Sequence, residues 1–282
     1  MNPPVIAHIG DLHLGVHADL DQLDALPSYL KDLSPSAIVV SGDLSQRARH
    51  GEFVAARLFL HALSPIAPLL VMPGNHDVQW WASPFGIFGQ RPKYAKYRRY
   101  FGEDLTPVLQ IPGVTIASML SSYGIAFGSL TWNPNDMGTI GHLPASEVRR
   151  VRKVFEGAPS GSSRIAVVHH NVIRGKISNR MGLARWRTAQ RRLVELGVEA
   201  VLFGHDHEEV AAEIDGTVVV SGTGTPTDRT RGERASAFNV LRLDPDRIQV
   251  EHHVWDGGAK RFRRGDVAAF ARRHATGTLA GA

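Results

Sequence analysis

The chain has 282 residues, 43% hydrophobic and 21% charged, enough to bury a sizeable core as one large domain or two small ones. It contains no cysteine, which excludes thiolate metal sites, disulfides and cysteine nucleophiles, so that any metal must be held by nitrogen and oxygen. The net charge of +5 leans toward an anionic partner, though a surplus of this size is common on ordinary protein surfaces.

The opening residues, MNPPVIAHIGDLHLG, have no basic flank and a short apolar run before Asp11. From them we expect neither a signal peptide nor a membrane span, and a cytoplasmic location. Apolar strand-like runs then alternate with amphipathic stretches: a strand at 5–9, a helix near 19–32, a strand at 37–41, a helix near 50–63 and a strand at 68–72. That rhythm predicts parallel strands joined by helical crossovers. After Gly113 it changes. VTIAS and YGIAFGS lie close together, a helix follows near 144–155, then RIAVV, a helix near 184–196, and AVLF. Residues 208–255 alternate and turn at Asp215-Gly216 and Asp244-Pro245, as antiparallel strands do. We divide the chain into one domain, 1–255, and a basic tail, 256–282, whose Arg, Gly and Ala content predicts a helix with a frayed end.

Polar residues collect where five of these strands end: IGDLH, SGDLS, MPGNHD, VVHH and FGHDH. In a parallel α/β sheet the C-terminal strand ends share one edge, where ligands bind. Asp11 and His13 are two residues apart, so an extended backbone would point both to one side with Leu12 turned to the core; His205 and His207 repeat this around Asp206. Asp43, Asn75 and His169 add single donors. Two Asp, one Asn and four His exceed what one tetrahedral site needs and suit two metals sharing a carboxylate. Such a pair, about 3.5–4 Å apart, can clamp a phosphate and acidify a water between them. The mixed donor set suits manganese, iron or zinc better than calcium.

The series Asp11-Leu-His13, Gly42-Asp43, Gly74-Asn75-His76-Asp77, His169 and Gly204-His205-Asp-His207 resembles the calcineurin-like metallophosphoesterases, in order and over all five blocks. The resemblance implies an α/β fold, a four-layer αββα sandwich of two mixed sheets flanked by helices, so that residues 1–255 would be a metallophosphoesterase domain. It implies Asp11, His13, Asp43 and His207 around one metal, and Asp43, Asn75, His169 and His205 around a second. His76 and Asp77 would be catalytic. His76 would face the phosphate and either stabilise transition-state charge or protonate the leaving oxygen, and Asp77 would orient its ring. Asn75, His76, His170 and Arg174 are the expected substrate contacts. A metal-bridging hydroxide would attack phosphorus with no covalent intermediate.

Departures from neighbouring subfamilies narrow the reaction. GDLSQRA lacks the Asp-Arg-Gly of protein serine/threonine phosphatases, Gln46 stands where purple acid phosphatases carry a tyrosine, and His76 where lipid A precursor hydrolases carry arginine. The blocks look most like the class III cyclic nucleotide phosphodiesterases, although Asn171-Val172 rather than proline follows the histidine pair. We therefore expect an enzyme, a phosphodiesterase for a small nucleotide-type diester. The alternatives are a pyrophosphatase acting on a nucleotide-diphosphate lipid of the UDP-2,3-diacylglucosamine type, and a nuclease. DNA is not an expected partner; lipid contact and self-association stay open.

Other features have blander readings. In RPKYAKYRRY, Tyr94, Tyr97 and Tyr100 recur at helical spacing, predicting a helix docked through its tyrosines with Lys93, Lys96, Arg98 and Arg99 in solvent. The rival reading is an anion-collecting rim. WWASPFGIFG is a satellite core, a dimer contact or a pocket for a lipid chain or nucleobase. Arg174, Lys176, Arg180, Arg185 and Arg187 follow His169 and either bind phosphate or are solvated. GTGTP, residues 222–226, is a weak phosphate-loop signal. His8, His50, His61, His142, His252 and His253 are assigned to packing or surface; His17 and His170 lie near donors.

Overall fold

The computed structural model describes residues 3–15, 18–89, 91–133 and 136–273; His17 lies outside them. The strands are β1 (Val5–Ile9), β2 (Ala37–Val40), β3 (Leu69–Val71), β4 (Val108–Ile111), β5 (Val114–Met119), β6 (Ser163–Val168), β7 (Ala200–Phe203), β8 (Val210–Ile214), β9 (Val218–Gly222), β10 (Ala237–Leu243), β11 (Arg247–Asp256) and β12 (Arg261–Ala271). The α-helices are α1 (Leu20–Leu33), α2 (His50–Leu63), α3 (Ala95–Phe101), α4 (Ala145–Glu156) and α5 (Trp186–Glu195).

Two six-stranded sheets form, ordered β12-β11-β10-β1-β2-β3 and β4-β5-β6-β7-β9-β8. β1, β2 and β3 are parallel, as are β5, β6, β7 and β9, while the flanking strands run antiparallel. Strand alternation builds the layers. In β2, Ala37 and Val39 face the second sheet and pack with Ile116, Val167 and Leu202; Ile38 and Val40 face the helices with Leu26, Leu30 and Phe53. Both faces are buried, so these strands read as continuous apolar runs. α4 and α5 cover the second sheet through Val151, Phe155, Ala189 and Leu193. The result is the expected αββα sandwich of two mixed sheets.

Cap chemistry fixes the helix starts. Asp19 accepts from Gln22 N to open α1, and Glu52 turns back onto Arg49 N and Arg47 N to open α2. The Asp215-Gly216 turn has φ of 50° and 58°, the paired left-handed conformation of a tight hairpin, and joins β8 to β9.

The tail departs from expectation. Residues 261–271 are not a helix but β12, paired along β11, so the 255/256 boundary falls at the end of one strand of a hairpin. Phe262 is buried against Tyr29, Phe238 and Trp255, burial that a helix detached from the sheet would forfeit. YGIAFGS forms no strand; a single 3₁₀ turn spans Phe127–Ser129. Lys93 is fully buried, not solvated, its ammonium donating to the carbonyls of Tyr123 at 2.7 Å and Ile125 at 2.9 Å. Tyr94 and Tyr97 are buried as predicted. No helix among the described residues is long and apolar enough to cross a membrane.

Candidate metal centre

The five polar blocks leave the C-terminal ends of β1, β2, β3, β6 and β7 and meet at one edge of the sandwich. Asp11, His13, Asp43, Asn75 and His169 are each at most 2% exposed. Their approach depends on glycine: a Cβ on Gly74 would sit 2.1 Å from Asp43 Oδ1, and one on Gly42, whose φ is 103°, 2.7 Å from Gly74 N. The extended geometry expected for the paired donors is not what brings them together. Asp11, His13, Asp43, His205 and His207 all have positive φ, between 44° and 75°. Five non-glycine residues held in the left-handed region at one place store strain, which the surrounding structure offsets. Leu12 is nonetheless buried in the core beneath them.

The donor atoms form two groups. In the first, His13 Nε2 lies 2.8 Å from His207 Nε2, 3.7 Å from Asp43 Oδ2 and 4.0 Å from Asp11 Oδ1, and His207 Nε2 lies 3.7 Å from that Asp11 oxygen. In the second, His169 Nε2 is 2.9 Å from Asn75 Oδ1 and 3.4 Å from Asp43 Oδ2, and His205 Nδ1 is 2.9 Å from Asn75 Oδ1. Asp43 Oδ2 belongs to both groups. These separations bracket the roughly 3.3 Å edge of a tetrahedron of nitrogen and oxygen ligands around a metal.

Ring tautomers carry the fit further. His169 Nδ1 donates to Ser41 O at 2.9 Å and His207 Nδ1 to Arg229 O at 2.7 Å, so each ring, once Nε2 is deprotonated, turns that lone pair inward. His169 Nε2 meets acceptor oxygens, Asn75 Oδ1 and Asp43 Oδ2, and His207 Nε2 faces His13 Nε2 and Asp11 Oδ1, an arrangement a cation satisfies. His13 Nδ1 is buried with no hydrogen-bond partner. The residues present therefore fit metal ions.

Charge reinforces the arrangement. Burial pushes the Asp43 carboxyl up, but His169, His76 and His13 reverse this and hold it well below the usual range. Burial also opposes charge on His169, yet Asp43 and Asp11 raise it to about 9, while burial keeps His13 and His205 neutral. A positive charge is favoured beside Asp43.

Several predicted roles need correction. Asp77 does not meet His76. Its carboxylate accepts from Leu44 N, Ser45 N, Ser45 Oγ and Gly74 N, at 3.1, 2.9, 2.8 and 2.9 Å, and so staples the second block to the third. Those amides leave it no free oxygen to aim at an imidazole, and His76 Nδ1 is held instead by Gln46 O at 2.7 Å. His170 is fully buried with both ring nitrogens engaged, by Ser121 Oγ and Thr139 O, so it packs behind His205 and cannot reach a substrate. Arg174 is turned to Asn179 O, outside the cavity. Thr225 of GTGTP donates to Asp11 O and Thr223 to His8 O, buttressing the first block rather than cradling phosphate.

A cavity of about 210 Å³ covers the donor groups and is lined by Asn75, His76, Arg180, Arg229 and Arg231 among others. Of these arginines, sequence reasoning singled out Arg180 alone, within a loop of five basic residues. Arg229 is tied to Gln46 Oε1 and Arg231 to Asp206. Trp80, grouped with the aromatic loop, donates from its indole to Asn75 O at 2.9 Å and so supports that block. An Arg two residues past a Thr-Pro-Thr turn carries no local signature, so only the fold exposes Arg229.

Comparison with known proteins identifies the family to which this fold and donor set belong. The sequence profile of calcineurin-like phosphoesterases matches residues 4–209, and the chain belongs to that family. No curated protein sequence matches it. Among solved structures it is similar to a dimetal phosphatase from Danio rerio, with a TM-score of 0.65 at 11% identity over 97% of this chain and 100% of that one. A purple acid phosphatase from yellow lupin seeds gives 0.64 at 12% identity over 95% of this chain and 54% of that one. GAP50, the anchor in the inner membrane complex of Plasmodium, gives 0.60 at 11% identity over 98% and 91%. At such identities these three likenesses speak to the fold.

Proposed function

We propose that the chain is a phosphodiesterase holding two metal ions, manganese, iron or zinc, one among Asp11, His13, Asp43 and His207 and the other among Asp43, Asn75, His169 and His205. The observation that carries this reading is the pair of inward-facing Nε2 atoms, His169 Nε2 at 3.4 Å from Asp43 Oδ2 and His207 Nε2 at 3.7 Å from Asp11 Oδ1. When bound, such ions supply Lewis-acid polarisation of the phosphoryl group and a water acidic enough to attack it.

The residues divide the remaining work. His76, half-buried at the cavity wall, takes its orientation from Gln46 O, which fixes the proton on Nδ1 and leaves Nε2 to exchange a proton with the leaving oxygen. Arg180, Arg229 and Arg231 line the same cavity and would neutralise phosphate oxygens, their guanidinium forks matching that geometry. The diester preference rests on the block pattern, which departs from the phosphatase subfamilies at Gln46 and in the second block. A second reading, a nucleotide-diphosphate lipid as substrate, draws support from Trp81, Ile87 and Phe88 in the loops after the third block and Phe127 in the connection after β5, each at least 69% exposed.

The test is the ratio of hydrolysis rates for bis(4-nitrophenyl) phosphate and 4-nitrophenyl phosphate by Mn²⁺-loaded protein. A strong diester preference is expected. A monoester preference would move the chain among phosphatases, and a trapped phosphoenzyme would refute direct attack by water.

A further inference from the structure

A second cavity, of about 770 Å³, lies beside the first and is lined in part by Arg47, His76, Val78, Trp81, Ala82 and Lys96. That volume is within the range of small-molecule pockets. His76 lines both cavities, so the two adjoin at that side chain.

The lining has two characters. The indole of Trp81 is 74% exposed, no ring of the protein stacks on it among the described residues, and Ala82 and the largely buried Val78 line the same cavity. Arg47 and Lys96 bring two cations, neither ion-paired among the described residues; the Lys96 ammonium donates to Ala48 O at 3.2 Å. The loop bearing Arg47 is fixed in advance, with Glu52 Oε2 accepting from Arg47 N at 2.8 Å and Gln46 tied to Arg229. A purely aliphatic group would cover the indole but leave two cations desolvated and unmatched. A bare anion would match the cations and leave the indole in water. A ring system carrying its own negative charge satisfies both, by stacking and by charge-assisted hydrogen bonds.

We propose, resting on the phosphodiesterase reading, that this cavity selects diesters whose leaving alcohol bears a nucleobase-like ring and a second anionic group, with Trp81, Arg47 and Lys96 as specificity-determining residues. In the reaction, water adds its oxygen to phosphorus and the bond from phosphorus to the leaving alcohol breaks. The electron pair stays on the alcohol oxygen, which takes a proton from His76 as it withdraws into the cavity, while the attacking water releases a proton to solvent, from which His76 is reprotonated.

The experiment holds the retained group constant as 2′-deoxyadenosine 3′-phosphate and varies the ester: methanol, decanol, the 5′-hydroxyl of deoxyadenosine, and the 5′-hydroxyl of deoxyadenosine 3′-phosphate. All four leaving groups are primary or methyl alkoxides, so differences in kcat/KM report binding of what is attached. We expect about tenfold or more from methyl to deoxyadenosine, and again on adding the terminal phosphate. Trp81→Ala should shrink the first ratio, and Arg47→Ala or Lys96→Ala the second. Equal values across the series, a decyl ester that outperforms the nucleosides, or variants that lower all four rates alike would overturn the proposal. If bis(4-nitrophenyl) phosphate is hydrolysed while the series shows no gain, the pocket assignment alone fails; if no diester is hydrolysed, the phosphodiesterase reading fails.

Discussion

Replacing Gly74 with alanine tests how the second and third blocks are brought together. The added Cβ would stand 2.1 Å from Asp43 Oδ1, 2.2 Å from Asp43 N and 2.7 Å from Asp43 Cγ. Ordinary carbon contacts to nitrogen and oxygen are more than 3 Å, so the overlap is on the order of 1 Å and falls on backbone as well as side chain. Because Asp43 N belongs to the chain leaving β2, the methyl group cannot be accommodated by a rotamer change. Overpacking of this kind typically destabilises by about 1–3 kcal/mol. At about 2–4 °C per kcal/mol for a chain of this size, Tm should fall by roughly 2–12 °C. The same shift moves the carboxylate shared by both donor groups, so bound metal should fall as well. Gly51→Ala is the control: nothing lies within 4 Å of its Cβ position in α2, and alanine there should stabilise by about 0.5–1 kcal/mol. Calorimetry on both variants, with metal analysis of dialysed protein, checks this. A Gly74→Ala protein with wild-type Tm and full metal content would refute the claim that the glycine is there for close approach.

Four further outcomes follow from the same geometry. Asp43→Asn should lower the metal content of dialysed protein at both donor groups and abolish turnover, whereas His76→Ala should keep its metal and lose about 10²–10⁴ in kcat, measured by metal analysis and steady-state kinetics. Loss of metal in the His76 variant would overturn the division of roles. Asp77→Ala removes the acceptor of three backbone amides and one hydroxyl, each costing about 1–3 kcal/mol when left buried and unpaired, so denaturant titration should show a larger stability loss than for His76→Ala. His8 is fully buried between Ser41 and Ser221, and burial lowers it to about 3. The unfolded imidazole near 6.5 binds a proton first on acidification, so this stabilisation is complete above about pH 6.5 and is lost toward pH 3, on the order of 5 kcal/mol in all. In chelator, His8→Gln should show a shallower fall of urea midpoint with pH over that window; an unchanged slope would contradict it.

The parallel strands and their helices were legible because both signals are local: β1 to β3 are apolar runs buried on two faces, and α1 and α2 carry apolar residues on one side with acidic caps. The donor residues were legible because each follows a strand, with glycine beside or near all but His169. The backbone that aims them was not. Asp11, His13, Asp43, His205 and His207 are left-handed, and nothing in an Asp or His names that conformation; it is imposed by neighbours distant in sequence, such as Asp11 N donating to Gly42 O and His205 N to Asp11. Asp77 beside His76 suggested an orienting pair, yet its partners are amides about 30 residues earlier. Lys93 sits among solvated cations in sequence and is buried because Tyr123 and Ile125 turn their carbonyls toward it. β12 was missed because its sequence, RFRRGDVAAFA, has helix-forming residues and one exposed face; pairing with β11 and the packing of Phe262 decide it.

The central claim is that the five blocks form two metal-binding groups sharing Asp43. The most direct measurement is a crystal structure of protein grown with Mn²⁺, with anomalous difference maps collected for manganese. We predict two peaks, one among Asp11, His13, Asp43 and His207 and one among Asp43, Asn75, His169 and His205, with Asp43 Oδ2 touching both. A single peak, or none at this edge of the sandwich with manganese present, would contradict the account.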